Sequence, residues 1–274
     1  MRLLILLGLV LALPACQTNT HSNVENKAPL QQLLTMAHRN PDFVRRDRYR
    51  HPVETLAFFE VEPSMAVGEI WPGGGWYSEL LAPLLREQGT YYAIGFSTTA
   101  ARTPQWRKNM VLRLNDKFAA DPHIYDKAIV TGLAVPEDVD IAPPGSLDRV
   151  LTFRNVHNWM KGGYAEGVFA AMYKALKPGG ILGVVEHRAE DGTPYAAMVK
   201  SGYVSEQEVI RLAHKAGFEL QAKSEINANN KDTKNHPKGV WTLPPSLRLG
   251  DKQREHYLGI GESDRMTLKF YKPS

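Results

Sequence analysis

The sequence contains a single cysteine, Cys16, among its 274 residues. A disulfide framework and a cysteine-rich metal site are therefore excluded. The chain also has no G-x-S-x-G turn, which excludes the serine nucleophile elbow of many hydrolases. No two of its histidines are spaced i, i+4, as ligands on one helix face would be, and we therefore predict no metal site.

A dense patch of one charge is also missing. The formal net charge is +4, from 33 basic and 29 acidic residues. The basic residues are scattered and are not interleaved with aromatic side chains, so we predict no nucleic-acid partner. We expect the small basic groups to form solvated surfaces; they are Arg45, Arg46, Arg48 and Arg50, and Lys223, Lys231, Lys234 and Lys238.

The N-terminus has the composition of an export signal. Its apolar run, residues 3–13, is too short to span a membrane and follows a positively charged residue, as in a signal peptide. Leu13-Pro14-Ala15-Cys16 resembles a bacterial lipoprotein box. We therefore predict a signal peptide at 1–15, a tether at 16–29, and a periplasmic protein that Cys16 anchors to a bacterial membrane through a lipid. Because Pro14 is uncommon in such a box, ordinary secretion is the alternative.

The most informative stretch is residues 65–85. An apolar run at 65–70 predicts a buried strand, and the leucines at 80–85 recur at helical spacing. Between them lies Pro72-Gly73-Gly74-Gly75. A glycine turn between a strand and a helix lets backbone N–H groups approach a ligand closely, as in nucleotide-binding α/β domains. Glu69, at the end of the predicted strand, would face the same ligand.

Alternating strands and helices predict an α/β fold with a doubly wound, mostly parallel, seven-stranded sheet. The predicted strands are 65–70, 90–96, 125–130, 148–153, 181–185, 218–226 and 266–271. We expect a single domain at 30–274 that begins with a helical cover at 30–62. A long flap at 227–265, between the last two strands, would lie over the carboxyl edge of the sheet.

Polar side chains cluster where the fourth and fifth predicted strands end. They are Arg154, Asn155, His157 and Asn158, and then Glu186, His187 and Arg188. Because the carboxyl ends of parallel strands meet at one edge of a sheet, these groups should surround one ligand crevice. Histidine titrates near neutral pH and suits a general base, while arginines suit an anionic group. Structural interpretations are also open, since the asparagines suit helix capping and Glu186 with Arg188 suits a salt bridge.

With these features in place, the chain resembles the class I S-adenosylmethionine-dependent methyltransferases over about residues 50–273. The glycine turn, Asp148 at the start of the fourth strand, LKPGG at 176–180 and a final pair of strands occur in the order typical of that family. The stretches WPGGGWYSELLAPLL, TFRNVHNW, GVVEHR, SGYVSE and HPKGVWTLPPSLRLGD are similar to a group of predicted bacterial exported methyltransferases.

The resemblance implies S-adenosylmethionine as the cofactor. The positions that it assigns to this cofactor are Glu69, Pro72, Gly73, Gly74, Gly75, Phe96, Ser97 and Asn155. Glu69 and the glycines would hold the amino-acid end. The family's acidic residue for the ribose hydroxyls has no counterpart here, because Phe96 and Ser97 occupy the end of the second strand. Phe96 would stack on the adenine ring.

The implied reaction is methyl transfer to an unidentified small-molecule acceptor. His157, Asn158 and Glu186 would orient the acceptor or remove its proton. The implied substrate pocket comprises Arg154, Trp159, His187, Arg188 and Trp241. Two alternatives stay open, namely a non-catalytic, envelope-anchored binding module that keeps the fold and a nicotinamide-dependent oxidoreductase. The missing ribose acid favours the module and counts against the oxidoreductase.

Overall fold

A computed structural model describes residues 27–274. The predicted signal peptide, Cys16 and most of the predicted tether lie outside the described residues. Within the described part of the chain, no helix combines the length and the apolar character that crossing a membrane requires.

The core of the fold is one seven-stranded sheet. The strands are β1 (Ala66–Ile70), β2 (Thr90–Phe96), β3 (Ile129–Leu133), β4 (Leu147–Phe153), β5 (Leu176–His187), β6 (Glu219–Ser224), β7 (Pro237–Val240) and β8 (Arg265–Tyr271). All except β7 pair in the order β3-β2-β1-β4-β5-β8-β6. Strands β1 to β5 are parallel, and β8 runs antiparallel to both β5 and β6. The predicted doubly wound, mostly parallel sheet is therefore confirmed.

Helices cover both faces of the sheet. They are α1 (Lys27–Leu33), α2 (Pro41–Val44), α3 (Asp47–Arg50), α4 (Pro52–Phe58), α5 (Ser78–Leu85), α6 (Gln105–Ala120), α7 (Pro122–Tyr125), α8 (Val156–Gly162), α9 (Ala165–Ala175), α10 (Tyr195–Ser201), α11 (Glu206–Ala216) and α12 (Arg254–Ile260). Successive side chains of a strand point to opposite faces, and Val150 and Leu151 of β4 accordingly enter different cores. Leu151 packs in the core of α1, α4, α5 and α6, and Val150 in that of α8, α9 and α11.

Two strands differ from their predicted bounds by more than two residues. The third strand was expected at 125–130, but Pro122 begins the short helix α7 and Tyr125 stacks on Phe118 of α6, with ring centroids 4.5 Å apart. Tyr125 therefore packs against a neighbouring helix and is not part of the strand. Strand β5 begins at Leu176, five residues earlier than expected. The register shifts between its pairings Leu147–Leu176 and Arg149–Ile181, which accommodates the glycine-rich segment between them.

The segment between β6 and β8, predicted as a flap, is ordered and contains β7 and α12. Val240 and Leu243 are buried in it, and the Trp241 ring lies edge-on to His157, with centroids 5.9 Å apart. At Gly239, a side-chain Cβ would lie 2.1 Å from the carbonyl oxygen of Ser201. The segment thus packs directly against α10 and against the residues that follow β4.

Candidate functional site

The turn after β1 has an open inner surface. Trp71, Gly73 and Gly75 have positive φ angles of 50°, 62° and 82°. The left-handed region suits glycine and is strained for tryptophan. A Cβ on Gly73 would meet nothing within 4 Å, and one on Gly74 would only touch Phe43 at 3.5 Å. The turn is therefore open at Gly73 and Gly74, whereas a Cβ on Gly75 would lie 3.2 Å from Leu114.

Glu69, at the end of β1, is a buried carboxyl group. It accepts hydrogen bonds from the Tyr91 hydroxyl (2.6 Å) and the Ser78 hydroxyl (3.3 Å). Burial raises its pKa to about 7, although these two hydrogen bonds and the positive charge of Arg154 act in the opposite direction. At neutral pH the group is therefore poised between its neutral and its charged form.

A cavity of about 260 Å³ opens between this turn and the end of β4. Its walls combine aromatic rings, the glycine turn and three arginines. The lining residues are Phe43, Arg46, Arg50, Glu69, Trp71, Pro72, Gly73, Gly74, Trp76, Tyr77, Phe153, Arg154 and Asn155. We call this space the cationic cavity.

Two of these arginines, Arg46 and Arg50, converge with Arg265 of β8 on one carboxylate, Glu262, from the segment before β8. Arg46 Nε donates to Glu262 at 2.6 Å, Arg50 Nε at 3.4 Å and Arg265 at 3.1 Å. Burial would raise the pKa of Glu262, but the charges of Arg50 and Arg265 outweigh burial and lower it to about 2. Burial and the charge of Arg154 together lower the pKa of Arg50 well below its usual range.

Arg154 is held in the cavity wall by its backbone. Its φ angle is 62°, and its N–H donates to the Val185 carbonyl at 2.7 Å. Among the described residues, no acceptor forms a hydrogen bond or ion pair with its guanidinium. Burial lowers the pKa of Arg154 to about 10, so the group stays charged at neutral pH. The side chain is half-buried and lines the cavity, so its free guanidinium is accessible to an anionic ligand.

The end of β2 is closed by packing. The rings of Phe96 and Trp71 lie 4.3 Å apart, and the guanidinium of Arg107 lies over both, at 4.8 and 5.1 Å from their centroids. Ser97 is buried, and its hydroxyl accepts the Ala100 N–H at 3.1 Å. Phe96 and Ser97 therefore already have partners within the chain.

A larger cavity, of about 710 Å³, lies on the far side of Trp71. We call it the distal cavity. Its wall includes Trp71, Phe96, Arg107 and Tyr164, together with the end of β3 and the start of α9 and α11. Glu137 also lines it and accepts the Ala101 N–H at 2.8 Å. The Trp71 side chain is thus a wall common to both cavities.

His157, Glu186 and His187 form a compact buried group. His157 Nδ1 lies 3.0 Å from Glu186 Oε1, so a proton on Nδ1 is shared with the carboxylate and Nε2 is the basic nitrogen. The backbone N–H groups of His157 and His187 also donate to Glu186, at 3.3 and 2.8 Å. His187 Nδ1 lies 2.5 Å from the Ser263 hydroxyl. Burial, His157 and Arg154 lower the pKa of His187 well below its usual range.

Those three side chains present potential metal ligands within 4.8 Å of one another. Their sequence spacing does not reveal this arrangement, because the helix after β4 and the end of β5 bring them together. Arg154, Arg265 and Arg50 contribute positive charge at His187, which opposes a metal cation. We therefore interpret the group as a hydrogen-bonded acid–base cluster.

The other predicted site residues lie in different surroundings. The Asn155 amide donates to the Ile70 carbonyl at 2.8 Å and so joins the ends of β4 and β1. Asn158 is half-buried on α8, and Trp159 is fully buried in the core beside Phe169. Trp159 lines neither cavity. Trp241 contacts His157.

Arg188, predicted in the substrate pocket, has the contacts of a structural ion pair. It donates to Asp264 at 2.9 and 3.0 Å and to Glu225 at 2.7 Å. It also donates to Glu206 at 3.3 Å. These acceptors occupy its guanidinium, so Arg188 links β6, α11 and the segment before β8.

Several residues of the site were not predicted. The basic residues at 45–50 were expected to form a solvated surface, but Arg50 is only 2% exposed. Glu262 and Trp71 also had no assigned role. A run of arginines directly before His51-Pro52 was the one available signal, and its meaning depends on Glu262, more than 200 residues further along the chain.

Comparison with known proteins supports the fold. No family model matches the chain, and a search of curated proteins also found no match. Among solved structures, the chain is similar to the [4+2]-cyclase SpnF, with a TM-score of 0.56, 14% identity, and coverage of 87% of this chain and 86% of that one. It is similar to a putative sarcosine dimethylglycine methyltransferase from Galdieria sulphuraria, with a TM-score of 0.54, 14% identity and coverage of 85% and 90%.

A third similar structure is the putative methyltransferase that was solved in complex with the Trm112 activator of Haloferax volcanii. Its TM-score is 0.53 at 16% identity, with coverage of 84% of this chain and 91% of that one. The protein therefore has the Rossmann-like fold of class I methyltransferases. One of these three neighbours is a cyclase, so the activity must be argued from the site.

Proposed function

We propose that the protein is an S-adenosylmethionine-dependent methyltransferase that acts on a small-molecule acceptor. The glycine turn beside the cationic cavity carries this proposal. It combines an open backbone surface at Gly73, a buried carboxyl group at Glu69 and an unpartnered Arg154. An α-amino acid group offers an ammonium and a carboxylate, which suit Glu69 and Arg154 respectively.

The cavity walls fit the amino-acid end of the cofactor. The unpartnered guanidinium of Arg154 would bind its carboxylate, and Glu69 its ammonium. At the nucleoside end, Ser97 is closed by its own hydrogen bonds. We infer that Glu137, which lines the distal cavity with Phe96, would meet the ribose hydroxyls in place of the missing acid. The nucleoside would lie in the distal cavity, against its aromatic lining at Trp71.

When bound, S-adenosylmethionine would supply a methyl group activated by its sulfonium, and Glu69, the glycine turn and Arg154 would hold its amino-acid end. The chain's own contribution is orientation, exclusion of water and movement of one proton. His157 Nε2 would take the acceptor's proton, because Glu186 holds the other ring nitrogen. Trp241 covers the His157 ring and would exclude water from it.

Titration calorimetry of the full-length chain with S-adenosylhomocysteine tests this proposal. We expect a dissociation constant in the micromolar range, about −8 kcal/mol. Gly74→Asp should abolish binding without unfolding the protein, because its side chain has space and its carboxylate would occupy the arginines. Gly259→Asp is the matched control, since a Cβ at this position in α12 also has space and meets nothing within 4 Å, whereas one on Gly74 touches only Phe43 at 3.5 Å. A folded wild-type protein that binds no S-adenosylhomocysteine would overturn the proposal.

A second candidate is a non-catalytic, envelope-anchored binding module. The observation that favours it is the contact between Trp71 and Phe96, which separates the two cavities that the cofactor would have to span. In that case S-adenosylhomocysteine would not bind, and ligands confined to one cavity would. The titration above therefore separates the two candidates.

We also propose that the protein is exported and anchored to a bacterial membrane through a lipid on Cys16. The support is the N-terminal apolar run and the Leu13-Pro14-Ala15-Cys16 box. Metabolic labelling with a radioactive fatty acid should mark the mature protein, which would begin at Cys16, and Cys16→Ser should remove the label. An unlabelled wild-type protein found in the soluble periplasmic fraction would instead indicate ordinary secretion.

A further inference from the structure

The positive charge around the cationic cavity is only partly compensated. Glu262 accepts from the Nε atoms of Arg46 and Arg50 and from Arg265. Among the residues that the structure describes, the terminal nitrogens of Arg46 and Arg50 have no hydrogen-bond acceptor. The same holds for the whole guanidinium of Arg154. These donors belong to the three arginines that line the cavity.

The charges of this cluster do not cancel. Arg46, Arg50, Arg154 and Arg265 against Glu262 leave three positive charges, and Glu69 removes at most one of them when it is ionised. Arg50 and Arg265 are each only 2% exposed, so water screens them poorly. Arg46 and Arg154 are half-buried, so water screens their charge only in part and their free donors are accessible to an anionic ligand.

The proposed cofactor does not remove the excess. Its amino-acid end is a zwitterion, in which one carboxylate is balanced by one ammonium, and its sulfonium adds a further positive charge. The carboxylate would bind one arginine guanidinium. The total positive charge in the cavity would still rise, because the sulfonium is positively charged and the zwitterion is neutral. A second anionic group is therefore required to balance the cluster when the cofactor is bound.

We propose that the arginine cluster holds two anionic groups at once, the cofactor's carboxylate and an oxyanion of the methyl acceptor. The inference rests on the proposed function and names its substrate class: a small molecule that carries a carboxylate or a phosphate. With the cofactor's carboxylate on Arg154, the terminal nitrogens of Arg46 and Arg50 remain for the acceptor's oxyanion. These two arginines line the cavity beside the glycine turn, so the acceptor would lie next to the proposed cofactor site.

Calorimetric titration of the full-length protein with inorganic phosphate and with acetate, each in the absence and presence of saturating S-adenosylhomocysteine, tests this inference. We expect at least one of the two anions to bind in both conditions. Arg46→Gln should weaken its binding at least tenfold, and Arg46 is the more exposed of the two arginines, so this variant should fold. Arg50→Gln is a second variant of the same anion site. Arg86→Gln is the matched control, because it removes a surface arginine that pairs with Asp126.

The outcomes separate the two proposals. Anion binding that persists with bound S-adenosylhomocysteine and weakens only in the cluster variants supports the inference. One-for-one displacement of the anion by S-adenosylhomocysteine, or no binding of either anion, overturns it and leaves the methyltransferase proposal intact. Anion binding without any binding of S-adenosylhomocysteine overturns the proposed function and shows the oxyanion site to serve another ligand.

Discussion

The pKa of Glu69 predicts how stability depends on pH. Burial raises this pKa from its usual 4.5 to about 7. The folded protein therefore binds the proton more tightly than the unfolded chain does. The contribution of Glu69 to stability is largest below pH 4.5 and falls as the pH rises to 7. Because a tenfold difference in proton affinity corresponds to about 1.4 kcal/mol, the total loss is about 3 kcal/mol.

Glu69→Gln isolates this effect, because glutamine keeps the shape and has no charge to titrate. We expect the free energy of unfolding of the wild type, minus that of the variant, to fall by about 1.4 kcal/mol per pH unit between pH 4.5 and 7. Above pH 7 the difference should level off. Urea unfolding at half-unit intervals measures it, and Glu255→Gln on the surface of α12 is the control.

A difference that does not change between pH 4.5 and 7 would show that folding does not raise the pKa of Glu69, and would refute the reasoning. Glu262 does not confuse the measurement. Its pKa is lowered to about 2, so its contribution is lost only as the pH falls below 4.5. An ammonium bound beside Glu69 would favour the carboxylate. Binding of S-adenosylhomocysteine at pH 6 should therefore release a proton, seen as a binding heat that depends on the buffer.

Three further predictions concern other residues. His157→Ala should leave the affinity for S-adenosylhomocysteine unchanged and lower methyl transfer into an envelope extract by about 10²-fold or more; lost affinity would contradict its role as a base. Arg188→Gln should cost about 1 to 2 kcal/mol in urea unfolding and leave that affinity unchanged, because its partners are structural; weaker binding at unchanged stability would contradict this. Cobalt(II) should not bind to His157, Glu186 and His187, since nearby arginines oppose it; a cobalt absorption spectrum that His187→Ala abolishes would contradict this.

Local patterns predicted the fold well. Strand β2 has the predicted bounds, because its aromatic and β-branched residues lie between two turns. Helix α11 begins directly after Ser205, whose hydroxyl accepts the Glu208 N–H at 3.2 Å and so caps the helix locally. The predicted bounds of the third strand were wrong, because an aromatic residue such as Tyr125 can serve a helix or a strand equally well.

The candidate site was only partly predictable. Glu69 and the glycine turn are contiguous in sequence, and the structure brings them together as expected. Arg154 was predicted to bind an anionic group because arginine generally suits one, and the structure places it in the lining of the cationic cavity. Arg50 was misjudged, because charge alone does not show whether an arginine is solvated or buried against a carboxylate from another part of the chain.

The position of Glu262 explains why the arginines can share a cavity at all. Without it, Arg46, Arg50 and Arg265 would repel one another at low exposure, and the segment that contains α2 and α3 would not pack against the start of β8. The single Glu262 carboxylate can stabilise this packing, but it does not neutralise the charge of the arginines. The excess charge is directed at the space beside the glycine turn, which is where a methyl acceptor would have to lie. The same excess of positive charge would therefore favour the binding of an anionic ligand.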